Sequence, residues 1–437
     1  MSRAIAAQRQ GEGGGYRLAL FALFVVSAFN YVDRTILSIL QIPIKQELGL
    51  SDGQLGALTG LAFALFYATL SLPIARLADR FSRRWIIVAS LAVWSAMTAT
   101  CGLAVGFASL AFFRIGVAIG EAGSVPASVS LIADYYPAER RASALAVWGL
   151  ALPVGLLVGY ASTGWLASAV GWREAFFIVG GIGVILAPVL FAMIKEPPRG
   201  QSDAADIALA PPPPLGEALR LFWRNRAYRF LVMAGMLHGF SQYAMMTWNA
   251  PFFTRAHGLS LTEVSGLMAL LGGVAGGLGM YLSGVLADRL GRRDSRWRVW
   301  IIAVSVAAML PFTLVQYLVP STSLSIASAL AAAVMMTAYY GPLVAATQSV
   351  TPPNTRALGQ AVLLLAFNLF GLGLGPWLTG VLSDRIALLI GADGLHYALV
   401  LALLPSLVSV WLFFHAASFY ADTVEHNAAT DAEGQNA

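Results

Sequence analysis

Charged residues are scarce in this sequence: Asp, Glu, Lys and Arg make up 11% of its 437 residues, whereas apolar residues make up 58%. An ordinary soluble domain contains about 25% charged residues. So few ionisable side chains cannot cover a surface that faces water, which excludes a soluble enzyme and makes lipid the expected solvent. The net charge of +5 does not indicate nucleic-acid binding, because the basic residues lie in short segments between apolar runs.

Cysteine and histidine are also rare. The single cysteine, Cys101, excludes a disulfide framework and a cysteine zinc cluster. The five histidines lie in separate segments, so a membrane-embedded lipid enzyme with a histidine base or metal site is a distant alternative. The sequence contains no phosphate-loop motif, so nothing in it indicates an ATP-driven pump. We therefore expect no enzyme activity, no metal and no cofactor.

Long apolar runs make up most of the chain. A helix needs about 20 mostly apolar residues to cross a bilayer, and the sequence contains twelve such runs. We therefore predict an all-α membrane protein with twelve transmembrane helices. The predicted spans are residues 18–42, 54–77, 85–106, 109–133, 142–166, 173–194, 228–253, 262–286, 298–319, 323–348, 357–383 and 395–418.

Basic residues are distributed unevenly between the two sides of these spans. If both termini are cytoplasmic, the outer loops hold only Lys45, Arg173, Arg255 and Arg385. All other basic residues outside the spans then fall on the inner side, as the positive-inside rule requires. We expect a multi-pass protein of the cell inner membrane with both termini in the cytoplasm.

The spans divide into two six-helix halves. One long segment, with the proline run 211–214, separates them, and proline favours extended backbone there. ARLADRFSRR after the second span is echoed by GVLADRLGRR after the eighth. Such a duplication is typical of transporters with a site near the bilayer midplane. The predicted organisation is a tail at 1–17, a first bundle at 18–194, a linker at 195–227, a second bundle at 228–419 and a tail at 420–437.

The repeated DR-x-x-RR loop resembles the loop signature of the major facilitator superfamily, although Ala75 and Ser82 stand where the first copy usually has glycine. Within that superfamily the chain resembles the spinster family. The segments that carry this resemblance are NYVDR (30–34), GEAG (120–123), LIADYY (131–136), LPVG (152–155) and EPPRG (196–200). The resemblance implies proton-linked movement of lysolipid-type substrates. NYVDR and an Arg-to-Glu pair in the fourth span are also similar to symporters that carry sugar acids with protons.

Four ionisable residues lie well inside apolar spans: Asp33, Arg34, Arg114 and Glu121. Each uncompensated charge at a helix centre costs about 2.5–3.5 kcal/mol, so the four must be paired or hydrated. Arg114 and Glu121 are two helical turns apart and share a face, whereas Asp33 and Arg34 diverge by about 100°.

The chemistry of these residues suggests proton coupling. We expect Asp33 and Glu121 to bind and release protons, and Arg34, Arg114 and Glu121 to contact an anionic substrate. Asp33 is the expected principal carboxylate, with Arg34 as its partner. The alternative is a neutral charge cluster that only fixes helix packing.

A second set of charged residues lies at the predicted cytoplasmic ends of spans. We interpret it as a cytoplasmic gate, in which Asp134 is a partner for Arg83 or Arg84. The alternative is a basic loop without a gating role. The gate residues are Asp79, Arg80, Arg83, Arg84, Asp134, Asp288, Arg289 and Arg292.

The second half has few polar residues within its spans. His238 and Gln242 are four residues apart and share a helix face, so they are candidates for binding a polar headgroup, with packing as the alternative. The sequence thus predicts a proton-coupled transporter of an amphipathic lipid or lysolipid, acting by alternating access. A proton-coupled symporter of small organic anions such as sugar acids is the second hypothesis. We expect a monomer whose partners are substrate, protons and membrane lipid.

Overall fold

In the part that the structure describes, the protein consists of helices joined by short connections. The computed structural model describes residues 2–199, 201 and 213–436. Within these ranges, side chains are described from residue 15 to residue 425, apart from those of Leu72, Ala75, Asp79, Ala138, Pro353 and Ala357. Of the proline run 211–214, for which the sequence favours extended backbone, residues 211 and 212 lie outside the described residues, as do linker residues 202–210.

The helices are numbered in chain order. Those of the first part are α1 (Ser2–Leu48), α2 (Asp52–Gly56), α3 (Ala62–Arg80), α4 (Arg83–Cys101), α5 (Phe107–Glu121), α6 (Ser124–Tyr135), α7 (Ala138–Gly149), α8 (Ala151–Val170) and α9 (Trp172–Met193). A short helix follows, α10 (Leu215–Arg224).

The second part continues with ten helices of 7 to 33 residues. These are α11 (Arg226–His257), α12 (Leu261–Ala269), α13 (Gly276–Gly291), α14 (Trp297–Leu318), α15 (Thr322–Thr337), α16 (Tyr340–Ser349), α17 (Arg356–Ala366), α18 (Gly375–Ile390), α19 (Leu395–Leu401) and α20 (Leu404–Asn436).

Several helices follow one another closely enough to form a single membrane span. Taken together, eleven helical stretches in the described part of the chain are long and apolar enough to cross a membrane. The seventh predicted span, α11, is a helix of 32 residues but falls outside that set. Its side chains include His238, Gln242 and Asn249, which lower its apolar content. The all-α membrane architecture predicted from the sequence is confirmed.

Equivalent spans of the two halves deviate from regular helix at equivalent places. In the second span α2 and α3 are joined by a π-helical turn, Ala57–Leu61, and in the eighth span α12 and α13 are joined by Leu270–Ala275. Residues 122–123 separate α5 from α6 in the fourth span, and residues 338–339 separate α15 from α16 in the tenth. The duplication seen in the loops therefore extends to the irregular turns within the helices.

Contacts between helices divide the chain into two units. The first unit comprises Met1–Leu50, Ala62–Ile207 and Ser260–Ala269, and the second comprises Ser51–Leu61, Ala208–Leu259 and Leu270–Ala437. Each unit thus includes a short segment of the other predicted half. The bundle boundaries given by the sequence stay predictions.

Glycines set the position of α1 within the first unit. A Cβ atom at Gly155 of α8 would meet the carbonyl oxygen of Ala28, and one at Gly159 would meet Thr35. Glycine allows helices to approach closely because it has no side chain. The part of α1 that carries Asp33 and Arg34 is therefore held directly against α8.

Candidate functional site

Helices α1 and α5 bring the four intramembrane charges together in the first unit. Arg34 donates from Nε to Glu121 Oε2 at 2.9 Å, and its Nη2 is also 2.9 Å from that oxygen. Glu121 is the last residue of α5 and is fully buried. We call Asp33, Arg34, Arg114 and Glu121 the Asp33 cluster.

Asp33 has different partners. Its Oδ2 accepts from Arg114 Nη1 at 3.3 Å, and its Oδ1 accepts a hydrogen bond from the Thr98 hydroxyl of α4. The sequence-based expectation that Arg34 is the partner of Asp33 is thus corrected. Adjacent residues on a helix point about 100° apart, so Asp33 and Arg34 meet different residues of α5.

Two polar atoms of the cluster are left over. Among the residues that the structure describes, Glu121 Oε1 and Arg114 Nε are buried without a hydrogen-bond partner. The side chains of Asp33, Arg114 and Glu121 are 0%, 3% and 0% exposed, whereas that of Arg34 is 20% exposed. Arg34 is therefore the most exposed member of the cluster.

Aromatic rings surround Arg34. Its Cζ lies 4.9 Å from the ring centre of Phe63, 5.1 Å from that of Tyr67 and 5.8 Å from that of Tyr31. The Phe63 ring centre is also 5.6 Å from Arg114 Cζ, so the same ring lies within cation–π distance of both arginines. We call Tyr31, Phe63 and Tyr67 the aromatic collar. The sequence analysis missed it, because aromatic residues in an apolar span give no separate signal.

A second cluster lies where α3 ends and α4 begins. Arg83 is buried and forms an ion pair with Asp134 of α6, one of the two pairings expected from the sequence. Its Nε also donates to Glu196 Oε1 at 2.9 Å. We call Arg83, Asp134 and Glu196 the Arg83 cluster. It ties α4, α6 and the segment after α9 together.

Glu196 is a member of this cluster that the sequence analysis quoted only within EPPRG. Its Oε2 accepts from the Arg84 backbone N–H at 2.8 Å and from the Ser82 hydroxyl at 2.9 Å. Burial alone would raise the pKa of Glu196, but these hydrogen bonds and Arg83 lower it below its ordinary value.

The other gate candidates are placed differently. Arg84 donates to the Phe191 carbonyl oxygen at 2.8 Å and stacks over the Phe191 ring. The side chain of Asp79 lies outside the described residues. The remaining candidates are exposed: Arg80, Asp288, Arg289 and Arg292.

A third cluster lies in the second unit and was not foreseen. Asp52, buried at the start of α2, accepts hydrogen bonds from Arg255 Nη1 and Nη2, both at 2.7 Å, and from Ser383 at 2.7 Å. Asp384 of α18 accepts from the backbone N–H groups of Asp52 and Gly53 at 3.0 and 2.7 Å. We call Asp52, Arg255, Ser383 and Asp384 the Asp52 cluster. The capping pattern Ser51 to Gln54 signals a helix start in the sequence, but not its partners.

His238 and Gln242 occupy different environments in α11. His238 is fully buried, and its Nδ1 and Nε2 lie 3.0 Å from Ser406 Oγ and 3.2 Å from the Met336 carbonyl oxygen. Both ring nitrogens are therefore engaged, as in the packing alternative. Gln242 is partly buried and accepts from the Tyr339 hydroxyl at 2.6 Å.

The sequence matches a known family of membrane proteins. The family model described as Major Facilitator Superfamily matches residues 23–376. The chain belongs to the major facilitator superfamily. The charged loops and the duplicated spans are thus features of a membrane transporter fold.

Individual members of the superfamily are similar to this chain over most or part of its length. A curated MFS-type efflux pump of Mycolicibacterium smegmatis is 33% identical over 93% of this chain and 94% of its own length. Human protein spinster homolog 1 is 25% identical over 85% of this chain and 74% of its own. A probable L-galactonate transporter of Escherichia coli is 30% identical, over 62% of this chain and 61% of its own.

A solved structure gives the same picture. The bacterial homologue of the human lysosomal transporter Spinster, crystallised inward-facing and unoccupied, superposes with a TM-score of 0.80. Its sequence is 31% identical, and the match covers 94% of this chain and 97% of that one. The resemblance to the spinster family inferred from the sequence is confirmed.

Proposed function

We propose that this transporter couples substrate movement to protons, with Arg34 as the site where the anionic group of an amphipathic substrate binds. The observation that carries the proposal is the exposure of Arg34 beside a buried partner, Glu121. A planar guanidinium binds carboxylates and phosphates with two parallel hydrogen bonds. An incoming anion therefore competes with Glu121 for Arg34.

Competition for Arg34 provides the coupling. When the substrate binds Arg34, the carboxylate of Glu121 stays buried but loses its ion-pair partner. A buried carboxylate without a cation binds a proton. When the substrate leaves, the Arg34–Glu121 pair forms again and the proton is released. Asp33, which accepts hydrogen bonds from Arg114 and Thr98, is a second candidate proton site.

The aromatic collar favours a substrate with an apolar part next to its anionic head. Rings around Arg34 offer apolar surface and cation–π contacts in the same place. The resemblance to the spinster family implies the lysolipid class, and the chain is similar to human protein spinster homolog 1. Similarity to a probable L-galactonate transporter supports the second candidate, a symporter of sugar acids, but the collar has no polar groups suited to several hydroxyls beyond Tyr31 and Tyr67.

We further propose that both termini face the cytoplasm of a cell inner membrane, following the distribution of basic residues. In that orientation the Arg83 cluster lies at the cytoplasmic end of the spans and the Asp52 cluster at the outer end. Alternating access by rocking of one bundle against the other then opens these two ends in turn.

Uptake by purified protein in liposomes separates the two substrate classes. Lysolipids with anionic heads and sugar acids would be offered under an imposed pH gradient and without one. We expect gradient-dependent movement of the lysolipids and none of the sugar acids. Movement of sugar acids alone would favour the second candidate, and movement that ignores the gradient would contradict proton coupling.

A further inference from the structure

Helix α10 was not foreseen in the predicted linker. Its ten residues, LGEALRLFWR, form a helix that ends one residue before α11 begins at Arg226. Asn225 joins the two helices, and its side chain caps α11 by accepting from the Tyr228 N–H at 3.0 Å. Because one residue joins the two helices, α10 lies next to the first turn of α11.

Side chains on α10 form four lengthwise strips, one of which holds Glu217 and Leu221. The first strip, Ala218 and Phe222, is buried against the protein, and Phe222 stacks on Tyr228 with ring centres 4.8 Å apart. The next strip, about 100° further round the helix, is apolar but exposed: Leu215, Leu219 and Trp223 are 61%, 42% and 66% accessible. The buried strip already packs α10 against the protein, so the exposed apolar strip requires another explanation.

The third strip is basic. Arg220 and Arg224 follow the exposed apolar strip around the helix, and Glu217 is the only acidic residue of α10. Arg229 at the start of α11 adds a further charge, with its Cζ 5.6 Å from the Trp223 ring centre. Apolar residues, an interfacial tryptophan and flanking arginines in this order are typical of helices that lie in the plane of a membrane interface.

We propose that α10 is an interfacial helix that binds an anionic phospholipid surface. Leu215, Leu219 and Trp223 enter the boundary between headgroups and acyl chains. Arg220 and Arg224 extend along it and contact lipid phosphates, as long basic side chains do at an interface. The positive charge of this strip selects anionic over zwitterionic lipid.

Hydrogen exchange of the full-length protein in nanodiscs tests this proposal. The peptide that covers Leu215–Arg224 would be compared in discs of phosphatidylcholine and in discs that also contain phosphatidylglycerol. We expect exchange in α10 to be slower by at least about fivefold with phosphatidylglycerol, the factor expected for one arginine near an anionic surface. Arg220→Gln/Arg224→Gln should remove this difference.

Two controls keep the result specific. Arg140→Gln removes an exposed arginine at the start of α7 and should leave the lipid effect on α10 unchanged. Leu219→Gln/Trp223→Gln should raise exchange in both kinds of disc, because it removes the apolar strip. Equal exchange of parental α10 in the two lipids, or a lipid effect that survives Arg220→Gln/Arg224→Gln, would overturn the proposal.

Discussion

Asp33 and Arg114 form an ion pair that is almost completely buried. Removing one partner of a buried pair leaves the other charge without compensation and typically costs about 3–5 kcal/mol. Their side chains are 0% and 3% exposed, so the full effect applies here. Thr98 supplies one further hydrogen bond to Asp33, which does not neutralise a charge.

We therefore predict that Arg114→Gln lowers the free energy of unfolding by about 3–5 kcal/mol. Asp33→Asn/Arg114→Gln should recover most of that loss, because neither charge is then buried. Unfolding of the purified variants in detergent measures both. Arg140→Gln, at an exposed position, serves as control and should stay within about 0.5 kcal/mol of the parent. If the two substitutions lowered the free energy of unfolding additively in the double variant, the Asp33–Arg114 ion pair would be contradicted.

The Phe63 ring lies within cation–π distance of both arginines of the cluster. Phe63→Leu keeps an apolar side chain but removes the ring face, and we expect substrate binding to weaken by about 0.5–2 kcal/mol. Titration with the transported lysolipid measures the change. Phe413→Leu, a buried phenylalanine in the second unit, is the matched control. An equal loss in both variants would point to general destabilisation rather than to the collar.

Sequence reasoning at this scale found the charges but not their partners. Asp33, Arg34, Arg114 and Glu121 stand out because charges inside apolar spans are rare. Which acid meets which base depends on the rotation of α1 against α5, and helical spacing within one chain segment does not give it. Thr98 gave no signal, since a threonine in a transmembrane helix is ordinary.

At the scale of elements, the segment after α9 is fastened to the start of α4 through Glu196. A carboxylate with a lowered pKa stabilises the fold above its ordinary pKa of 4.5, and this contribution disappears as the pH falls through the lowered value. The carboxylate is partly exposed, so solvent screens the interaction and keeps it below about 1 kcal/mol.

We predict that Glu196→Gln is less stable than the parent at pH 7, and that the difference shrinks as the pH falls below 4.5 and vanishes once the pH is below the lowered pKa of Glu196. Melting temperatures in detergent across this pH range measure it. Glu217→Gln in α10 is the control, because Glu217 is exposed. A difference between parent and Glu196→Gln that persists in acid would show that shape, not charge, holds the segment.

The Asp52 cluster attaches the start of the second span to α11 and α18. Arg255→Gln removes two hydrogen bonds of 2.7 Å to Asp52. We expect exchange of the backbone N–H groups in Asp52–Gly56 to rise about tenfold, equivalent to about 1.4 kcal/mol. Hydrogen exchange by mass spectrometry measures this. Arg385→Gln, exposed on α18, should leave exchange unchanged, and an equal rise there would contradict the attachment.

Long spans were predictable at this scale, and their irregularities were not. Apolar runs of about 20 residues determine transmembrane helices directly. The π-helical turns Ala57–Leu61 and Leu270–Ala275 leave no mark in hydropathy, since their residues are as apolar as their neighbours. Helix α10 escaped notice because ten residues are too few to distinguish a periodic pattern from a polar linker.

At the scale of the whole molecule, the duplicated LADR segments indicated two related halves, and the matching turns in paired spans agree with that origin. Contacts nevertheless assign Ser51–Leu61 to the second unit and Ser260–Ala269 to the first. Sequence cannot foresee such an exchange, because it depends on long-range packing rather than on the composition of either segment. The second and eighth spans are thus the elements that contribute to both units.

The central claim is that an anionic substrate displaces Glu121 from Arg34 and that Glu121 then takes a proton. Proton uptake on substrate binding tests it most directly, measured with a pH-sensitive dye on purified protein in weakly buffered detergent solution. We predict uptake of about one proton per bound lysolipid in the parent and in Asp33→Asn, and none in Glu121→Gln, which still binds. Undiminished proton uptake by Glu121→Gln, or its loss in Asp33→Asn alone, would contradict the claim and assign the proton to Asp33.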